Sequence, residues 1–337
     1  MEVSSTVLAV TESSQAGHAR RTAAALAARL GFNEEAQGKV AIVVSEAAKN
    51  LVAHARGGGH ILLRALHEGP HVGLEVLALD KGPGMADVDR CLRDGYSTAG
   101  TSGVGLGAIR RMASLFDIHS VPGVGTAVLA QLWADKPPPA ARVEVGAVCV
   151  PMPGEEVCGD SWAVDFKQGR FFALVADGLG HGPEAARASR AAVVSFLEQG
   201  SSELVELMRG AHQELRSTRG AAVAFASVEG ARLHFAGVGN IAAAIVSPGA
   251  IQRLVSMNGT LGHQAHRMQQ FSYTWSPGDT LVMCSDGLAT QWRLDPYPGL
   301  LARHPSLVAG VLYRDFARGR DDATVLVARE VSGGSAP

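Results

Sequence analysis

An aspartate followed by two spaced glycines (Asp80, Gly82 and Gly84) comes directly after a predicted β-strand at 72–79. A carboxylate at the end of a strand can accept a hydrogen bond from the amino group of an adenine ring. Because glycine has no side chain, the backbone at Gly82 and Gly84 can approach a flat ring closely. These three residues are therefore candidates for an adenine pocket.

Three further glycines, Gly103, Gly105 and Gly107, open a predicted helix that runs to about Phe116. Glycines at the start of a helix present backbone N–H groups to phosphates. No Gly-Lys-Ser/Thr follows them, which excludes a Walker A loop, and no strand immediately precedes them, which argues against a Rossmann fingerprint. The run is a candidate phosphate-binding segment of another kind.

The elements that must position these residues follow from the spacing of apolar side chains. This spacing predicts two helices and four strands around the glycines: helices at 15–30 and 33–55, and strands at 60–66, 72–79, 117–121 and 126–133. On the second helix, Glu46, Asn50 and His54 are four residues apart and share one polar stripe.

Each of these features alone is common, since a glycine run is often a turn and polar residues on a helix usually face solvent. Their order is informative: Glu-x3-Asn on a helix, then Asp-x-Gly-x-Gly, then Gly-x-Gly-x-Gly. This series resembles the GHKL ATP-binding family over about residues 3–133. The stripe of Glu46, Asn50 and His54 is most similar to the anti-sigma-factor serine kinases of the RsbT-like switch type.

The resemblance implies that Asn50 holds a magnesium ion beside the phosphates of ATP, and that Glu46 orients or deprotonates the attacking serine hydroxyl. Phosphoryl transfer needs this kind of positioning and charge neutralisation. For His54, a packing role stays open beside a phosphate contact. The full set of nucleotide contacts that the resemblance implies comes from the helix, the adenine loop, the glycine-rich lid and a later strand: Asn50, His54, Asp80, Gly82, Gly84, Gly103, Gly105, Gly107 and Thr126.

In the second half of the chain, Asp177, Asp286 and Asp321 stand at or near the ends of predicted strands, and Asp160 lies in a glycine turn before another. Carboxylates on a rigid sheet that face one point favour hard divalent cations such as magnesium or manganese. Two such ions bridged by one carboxylate can activate a water and neutralise a phosphate. Any single Asp-Gly pair is an ordinary turn, so the prediction of a metal site depends on the four aspartates together.

The order Gly-Asp, Ala-Asp-Gly, Gly-Asn, Ser-Asp-Gly and Asp-Asp-x-Thr resembles the type 2C metal-dependent protein phosphatases over about 143–329. The string Asp-Gly-Leu-Gly-His-Gly is similar to their SpoIIE/RsbX branch. The resemblance implies that Asp177 bridges two Mn²⁺ or Mg²⁺ ions and that water attacks phosphoserine or phosphothreonine directly. It also implies further metal ligands and a candidate donor of a proton to the leaving oxygen: Asp160, Gly178, Asp286 and Asp321 as ligands, and His181 as the donor.

Two positions depart from this pattern. Cys158 stands where many relatives have glycine, and Ala163 stands where many place another aspartate, which leaves the number of metal ions open. The sequence identifies no arginine at an obvious phosphate-clamping position.

The 337 residues are predicted to form two domains of an α+β protein. A GHKL (Bergerat) α/β sandwich is expected at 1–135 and a type 2C αββα sandwich at 142–330, joined by a proline linker at 136–141 and followed by a flexible tail at 331–337. Three consecutive prolines continue neither a helix nor a central strand. Six extended residues span at most about 20 Å, so the two domains should be near neighbours.

Bulk properties narrow the class of function. The net charge of -2 gives no support to binding nucleic acid or an anionic membrane. No stretch approaches the roughly 20 apolar residues that span a bilayer, and the first ten residues do not resemble a signal peptide, so a cytoplasmic location is expected. The scattered cysteines indicate neither a disulfide framework nor a zinc site.

Together these features predict a bifunctional partner-switching regulator, with ATP and Mg²⁺ in the first domain and Mn²⁺ or Mg²⁺ in the second. Its kinase domain would phosphorylate, and its phosphatase domain dephosphorylate, serine or threonine on a STAS-domain antagonist that controls a sigma factor or another switch protein. Two alternatives stay open: a phosphatase regulated by a non-catalytic ATP-binding domain, and an anti-sigma-like binding module. A homodimer also stays open.

Overall fold

The computed structural model describes residues 4–93, 105–265 and 267–331. Within these ranges, no helix is both long enough and apolar enough to cross a membrane. The described part of the amino-terminal half contains these elements: β1 (Thr6–Val10), α1 (Ser13–Arg29), α2 (Glu34–His54), β2 (Gly59–Glu68), β3 (His71–Asp80), α3 (Val88–Cys91), α4 (Gly105–Met112), β4 (Leu115–Val121) and β5 (Gly125–Trp133). The strands form one antiparallel sheet in the order β1-β2-β3-β5-β4. Helices α1, α2 and α4 pack on one face of it.

Helix α2 carries the polar stripe, and its local sequence explains its bounds. The side chain of Asn33 caps the helix by accepting a hydrogen bond from Ala36 N at 2.9 Å. Glu34 and Glu35 in the first turn suit the positive end of the helix dipole. One apolar face packs on the sheet, and each fully buried Val or Leu contributes about 1.5–3 kcal/mol: Val40, Val43, Val44, Ala47, Ala48 and Leu51.

The predicted end of the glycine-led helix near Phe116 is wrong. Helix α4 ends at Met112, and Leu115 and Phe116 already belong to β4. The backbone N–H of Ser114 donates to Gln131 O on β5 at 2.9 Å, so the chain leaves the helix to pair with that strand. Strand pairing therefore overrides the helical pattern of the sequence here.

The carboxy-terminal half contains two more sheets. Its described helices and strands are β6 (Val143–Val150), β7 (Asp160–Lys167), β8 (Arg170–Gly178), α5 (Gly182–Glu198), α6 (Leu204–Glu214), β9 (Ala221–Glu229), β10 (Arg232–Val238), β11 (Ala242–Ser247), β12 (Ala250–Arg253), β13 (Phe271–Thr274), β14 (Thr280–Cys284), α7 (Pro305–Phe316) and β15 (Ala323–Glu330). The sheet orders are β13-β10-β9-β8-β7 and β12-β11-β14-β15-β6. An apolar core joins the two sheets, helices α5 and α6 cover the first, and α7 covers the second. The expected αββα sandwich is confirmed.

The Gly-Asn pair of the second half, Gly239-Asn240, does not close a β-hairpin. Strand β10 lies in one sheet and β11 in the other, so the chain crosses between the sheets at this point. The N–H of Gly239 donates to Met257 O at 2.9 Å. The side chain of Asn240 donates to Asp286 Oδ2 at 2.7 Å. These partners come from distant parts of the chain, which a local turn rule does not capture.

Helix α7 is shared by the two halves. One side packs on the sheet of β6 and β15, and the other packs on the amino-terminal sheet. Residues 305–312 are all buried, as is typical of a helix covered all round. A Cβ atom on Gly310 would lie 2.6 Å from Leu77 Cδ2, so this position leaves no room for a larger residue. The short linker thus joins halves that are in direct contact.

A buried polar network also crosses this interface. Ser306 Oγ donates to Glu75 Oε2 at 2.7 Å, and Arg64 Nη2 donates to Glu75 Oε1 at 2.7 Å. Gln131 Nε2 donates to the same carboxylate at 2.9 Å. Burial raises the pKa of Glu75. The charges of Arg64 and His304, together with these hydrogen bonds, outweigh that effect and hold the pKa below its ordinary value. Loss of one partner of such a buried pair destabilises a protein by about 3–5 kcal/mol.

Candidate functional site

The candidate adenine carboxylate is fixed by the backbone around it. Asp80 ends β3 and stands opposite Thr126 on β5. Its Oδ1 accepts hydrogen bonds from Gly82 N at 2.7 Å and from Thr126 N at 3.3 Å. Burial raises the pKa of Asp80, and these two backbone hydrogen bonds oppose that rise. One oxygen of the carboxylate is thereby held in place, which gives the side chain a defined orientation.

The loop after Asp80 is packed too tightly for side chains at its glycines. Gly84 has φ +67°, and a Cβ there would lie 2.1 Å from Val121 O on the β4–β5 turn. The N–H of Gly123 in that turn donates to Pro83 O at 2.8 Å. A Cβ on Gly82 would lie 3.0 Å from Ala55 Cα, at the end of α2. The sequence therefore needs glycine at 82 and 84 to bring this loop, the turn and α2 together.

The polar stripe of α2 meets the first turn of α4. A Cβ on Gly105 would lie 3.1 Å from Glu46 Oε2 and 3.2 Å from Asn50 Oδ1. Lys49 donates to the other Glu46 oxygen, Oε1, at 2.7 Å. Asn50 Nδ2 is buried and has no hydrogen-bond partner among the described residues. An amide N–H group left in this state can donate to an oxygen of an anionic ligand, so these residues fit the phosphates of a nucleotide beside Gly105.

The other predicted nucleotide contacts are placed as follows. His54 is the last residue of α2, and it is exposed. Gly107 is buried within α4. Thr126 is buried, and its Oγ1 lies 2.9 Å from Ser120 Oγ. Gly103 lies outside the described residues, within the segment 94–104.

In the carboxy-terminal half, the predicted metal ligands come from both sheets: Asp160 and Asp177 from the first, and Asp286 and Asp321 from beside β14 and β15 of the second. Asp160 on β7 and Asp177 on β8 stand directly opposite each other. Burial, and then the neighbouring charges of Asp160, Asp286 and Asp321, raise the pKa of Asp177. Burial likewise raises the pKa of Asp160. Gly178 follows at the end of β8, and its N–H donates to Gly159 O at 3.2 Å. We name the four aspartates the acidic cluster: Asp160, Asp177, Asp286 and Asp321.

The acidic cluster suits hard cations in its chemistry. Asp160 Oδ1 is buried with no hydrogen-bond partner among the described residues, while Ser285 Oγ donates to its Oδ2 at 2.6 Å. Divalent ions such as Mg²⁺ and Mn²⁺ prefer carboxylate oxygen. Within the described ranges, no three His, Cys, Asp or Glu side chains already stand in metal-binding geometry. A cation would therefore have to draw these side chains closer together.

Four residues beside the cluster were missed by the sequence reasoning. Asp322 is buried, and its Oδ1 accepts from Met152 N at 2.9 Å; the Asp321-Asp322 doublet was the available signal. Glu155 Oε1 lies 2.7 Å from Nδ1 of the exposed His181, which is the N-cap residue of α5. The remaining two are Ser285, which orients Asp160, and Asn240, which donates to Asp286.

Arg219 is a candidate phosphate contact that no sequence pattern marked. A Cβ on Gly180 would lie 3.2 Å from Arg219 Nη1, so its guanidinium stands against the loop after Asp177. The N–H of Leu179 in that loop donates to Gly220 O at 3.0 Å, which ties the loop to the residue after Arg219. Arginine matches the geometry of a phosphate by donating two hydrogen bonds.

Both departures from the family pattern are buried in the structure. Ala163 on β7 is buried in the apolar core under α5 and α6, and it pairs with Leu174. Because alternate strand residues face opposite sides, a residue three positions from Asp160 faces away from the acidic cluster. Cys158 Sγ lies 3.6 Å from Cys149 Sγ, and both thiols are free.

Known protein families match both halves of the chain. Residues 9–132 match the histidine kinase-like ATPase domain family, and residues 167–330 match the stage II sporulation protein E (SpoIIE) family. The chain is 35% identical over 115 residues to the serine/threonine-protein kinase RsbT of Bacillus subtilis (strain 168), covering 34% of this chain and 86% of that protein.

Two solved structures are similar to part of the chain. A structure described with the bacterial stressosome, a modular system adapted to control secondary messenger signalling, has 34% identity and a TM-score of 0.51. The match covers 56% of this chain and 100% of that one. A crystal structure of RsbX in complex with magnesium has 18% identity and a TM-score of 0.48, covering 58% and 98%. By its RsbT relative and its two matched domains, the chain belongs to the RsbT-like family of histidine kinase-like ATPase-domain proteins, with a SpoIIE domain in its carboxy-terminal half.

Proposed function

We propose that this protein is a bifunctional partner-switching regulator. Its amino-terminal half transfers phosphate from ATP to a serine or threonine of a STAS-domain partner. Its carboxy-terminal half hydrolyses such a phosphoserine or phosphothreonine. The RsbT relative, a serine/threonine-protein kinase, and the SpoIIE family match support these two activities.

For the kinase half, the residues around α2 and α4 have separate tasks. Asp80 accepts a hydrogen bond from the adenine amino group, and Asn50 contacts the Mg²⁺ that accompanies the phosphates. Glu46 orients the partner's hydroxyl through Oε2, the oxygen on the side of Gly105. Lys49 must release Oε1 if Glu46 is to act as a full base, since it donates to that oxygen here. Positioning of this kind accounts for most of the catalysis in phosphoryl transfer.

For the phosphatase half, the acidic cluster would hold Mn²⁺ or Mg²⁺, which supplies charge neutralisation at the phosphate and activates water. The chain's own residues complete the site. His181, oriented by Glu155 at 2.7 Å, donates a proton to the leaving oxygen of serine or threonine. Arg219 contacts the phosphate oxygens.

One observation carries the proposal: the described residues include two separate polar clusters, one suited to an anion and the other to a cation. The stripe of α2 faces the α4 N-terminus, where backbone N–H groups favour an anion. The acidic cluster is a set of neighbouring carboxylates that favours a cation. A nucleotide phosphate suits the first, and divalent metal ions suit the second.

A direct test uses the full chain with a purified STAS-domain protein. With γ-³²P-ATP and Mg²⁺, we expect label on a serine or threonine of that protein. With Mn²⁺ and the labelled protein, we expect free phosphate to be released. Absence of transfer would overturn the kinase proposal, and retention of the label would overturn the phosphatase proposal.

The alternatives are separated by two variants, Asn50→Ala and Asp177→Asn. If ATP changes the rate of dephosphorylation but no label is transferred, the amino-terminal half is a sensor that regulates a phosphatase. If both variants keep the full regulatory effect in cells, the protein acts by binding alone. We expect each variant to abolish one of the two activities and leave the other.

A further inference from the structure

One side chain of the carboxy-terminal half reaches the backbone of the candidate adenine pocket. Arg314, on the last turn of α7, donates from Nη1 to Asp80 O at 2.7 Å and lies 3.5 Å from Thr126 O. Asp80 carries the carboxylate proposed to bind adenine, and Thr126 N donates to that same carboxylate. The guanidinium therefore bridges the two strand ends that form the base of the pocket.

Arg314 is itself held in a fixed position. Its side chain is 6% exposed, and its Nε donates to Asp315 Oδ2 at 3.1 Å. Tyr297 OH donates to the same Asp315 carboxylate at 2.8 Å, and Lys81 Nζ lies 3.3 Å from it. Lys81 directly follows Asp80 in the chain. The carbonyl of Asp80 therefore contacts Arg314, and the next side chain, that of Lys81, contacts Asp315.

The packing leaves little tolerance at this point. Gly125, at the start of β5, has φ +132°, and a Cβ there would lie 2.1 Å from Asp80 O and 2.9 Å from Arg314 Nη1. The guanidinium, the Asp80 carbonyl and the β5 backbone thus meet without space for a side chain between them. A charged donor on a buried carbonyl fixes that peptide plane, and the direction of the peptide plane sets where the Asp80 side chain points.

We propose that Arg314 is a positioning residue of the adenine-nucleotide site, supplied by the phosphatase half through helix α7. The inference rests on the proposed function, since it takes Asp80 as the acceptor of the adenine amino group. Arg314 does not touch the nucleotide: it holds the peptide of Asp80 so that the carboxylate meets the amino group. By thermodynamic linkage, the free energy by which the Arg314 contact strengthens nucleotide binding equals the free energy by which a bound nucleotide strengthens this contact between the halves.

The test measures base discrimination in the full chain. Dissociation constants for the non-hydrolysable analogues AMP-PNP and GMP-PNP, with Mg²⁺, are determined by calorimetry. For Arg314→Ala we expect the Kd for AMP-PNP to rise about tenfold, equivalent to about 1.4 kcal/mol. The Kd for GMP-PNP should change much less, because guanine has no amino group at the corresponding ring position for Asp80 to accept from. The ratio of the Kd for GMP-PNP to the Kd for AMP-PNP therefore falls, whereas a general loosening of the fold would weaken the binding of both nucleotides equally.

The matched control is Arg303→Ala. Arg303 also crosses between the halves, where its Nη1 donates to Asp117 Oδ1 at 3.3 Å on β4, but it does not contact the pocket strand. We expect this control to leave base discrimination unchanged. Arg314→Lys, which keeps one donor for Asp80 O, should recover most of the AMP-PNP affinity. If Arg314→Ala does not fold, Asp315→Asn, which removes a charge that orients Arg314, replaces it and should give a smaller fall in the same ratio.

The outcomes separate this inference from the proposed function. Wild-type protein that binds neither analogue overturns the kinase proposal and this inference with it. Wild-type protein that prefers AMP-PNP, together with Arg314→Ala that keeps the same preference, overturns the positioning role alone. An equal loss for both analogues also overturns it, since Arg314 would then support the interface and not the adenine carboxylate.

Discussion

In the amino-terminal half, Asp80 is one carboxylate whose Oδ1 accepts two backbone hydrogen bonds, whereas in the carboxy-terminal half Asp160 and Asp177 face each other across paired strands. The first carboxylate is oriented by the protein itself. The second pair is buried and has further carboxylates beside it, and burial, followed by these charges, raises the pKa of Asp177. One site is thus organised by the peptide backbone, and the other needs a cation to balance its charge.

This difference leads to opposite responses to mutation. Where the backbone organises the site, a change that moves the backbone should remove binding, and a change of charge elsewhere should matter little. Where like charges are brought together, removal of one charge should relieve repulsion and increase stability while abolishing function. Sites that trade stability for activity in this way are common in enzymes.

The largest effect is expected for Asp177→Asn. Since Asp177 is the proposed metal ligand, this change should reduce phosphatase activity about 1000-fold, because a catalytic cation is worth several kcal/mol and each 1.36 kcal/mol is a factor of ten. In the metal-free protein the same change should raise the melting temperature: burial and the neighbouring carboxylates raise the pKa of Asp177 to about 9, so above the ordinary aspartate pKa the folded state must bind a proton that the unfolded chain does not, which costs stability. Phosphate release and thermal unfolding with EDTA measure the two effects. The control, Asp165→Asn, changes a carboxylate on the neighbouring strand β7 whose side chain is 32% exposed; a rise in both variants would contradict the repulsion argument.

The second prediction concerns Asn50→Ala, which should reduce phosphoryl transfer about 100-fold or more by removing the amide beside the phosphates. Release of phosphate by the other half should stay within about twofold, because no described contact of Asn50 reaches the acidic cluster. Transfer of ³²P from ATP measures this change. Lys39→Ala on the same helix, where Lys39 pairs with Glu35 at 2.7 Å, serves as the control. Equal losses in both variants would show that α2 as a whole, and not its amide, was damaged.

The third prediction tests the backbone side of the comparison with two glycines of similar conformation. Gly84→Ala should weaken nucleotide binding more than about tenfold, because its Cβ would lie 2.1 Å from Val121 O. Gly69 has φ +57° but nothing within 4 Å of a Cβ. Gly69→Ala should therefore lower stability by only about 1–2 kcal/mol, the cost of a left-handed residue, and leave the Kd unchanged. Calorimetry with AMP-PNP compares them, and equal affinities would refute the packing argument.

The sequence predicted the parts of this comparison that depend on local patterns. Asp80 and Asp177 were recognised because each follows a buried strand, and strand ends are marked by the apolar run before them. Helix α2 was placed to within a residue at each end because Asn33 and the apolar spacing mark it. Ala163, by contrast, could be understood only once the strand register showed that it faces the helix-covered core.

The shared helix was not predicted as such, although the sequence held a signal. Residues 305–312 contain no charged side chain, and all are buried; a helix without a polar face must be covered on both sides. The partner surfaces come from positions more than two hundred residues away, such as Glu75 for Ser306 and Asp80 for Arg314. No local rule connects residues so far apart, so the coupling between the halves needed the structure.

A smaller effect is expected for Arg219→Ala. Its guanidinium stands against the loop after Asp177, and a contact to the phosphate would contribute binding more than chemistry. We therefore expect the KM for a phosphopeptide to rise about fivefold to tenfold with kcat nearly unchanged. Arg209→Ala is the control, because Arg209 is exposed on α6 and pairs with Glu206 at 2.6 Å. A fall in kcat at constant KM would instead assign Arg219 a role in the transition state.

The smallest expected effect is a pH dependence of the interface that joins the two sites. Burial lowers the pKa of His304 more than the nearby carboxylates of Glu75, Glu144 and Asp117 raise it. The native state therefore binds this proton less readily than the unfolded chain. Its contribution to stability is fully present above the ordinary histidine pKa of about 6.5 and is lost as the pH falls below that value.

A hydrogen bond of His304 explains why this stability is lost at low pH, and a substitution at His304 tests the explanation. His304 Nδ1 accepts from Ser306 N at 3.1 Å and caps α7, and a protonated ring cannot accept this hydrogen bond. His304→Asn keeps a capping oxygen but no titrating group, so its melting temperature should fall less than that of the wild type between pH 7.5 and pH 5.5. His67→Asn, at an exposed position on β2, should behave as the wild type does. If the melting temperatures of all three proteins fell equally with pH, His304 would not be the group that makes the interface between the halves pH-dependent.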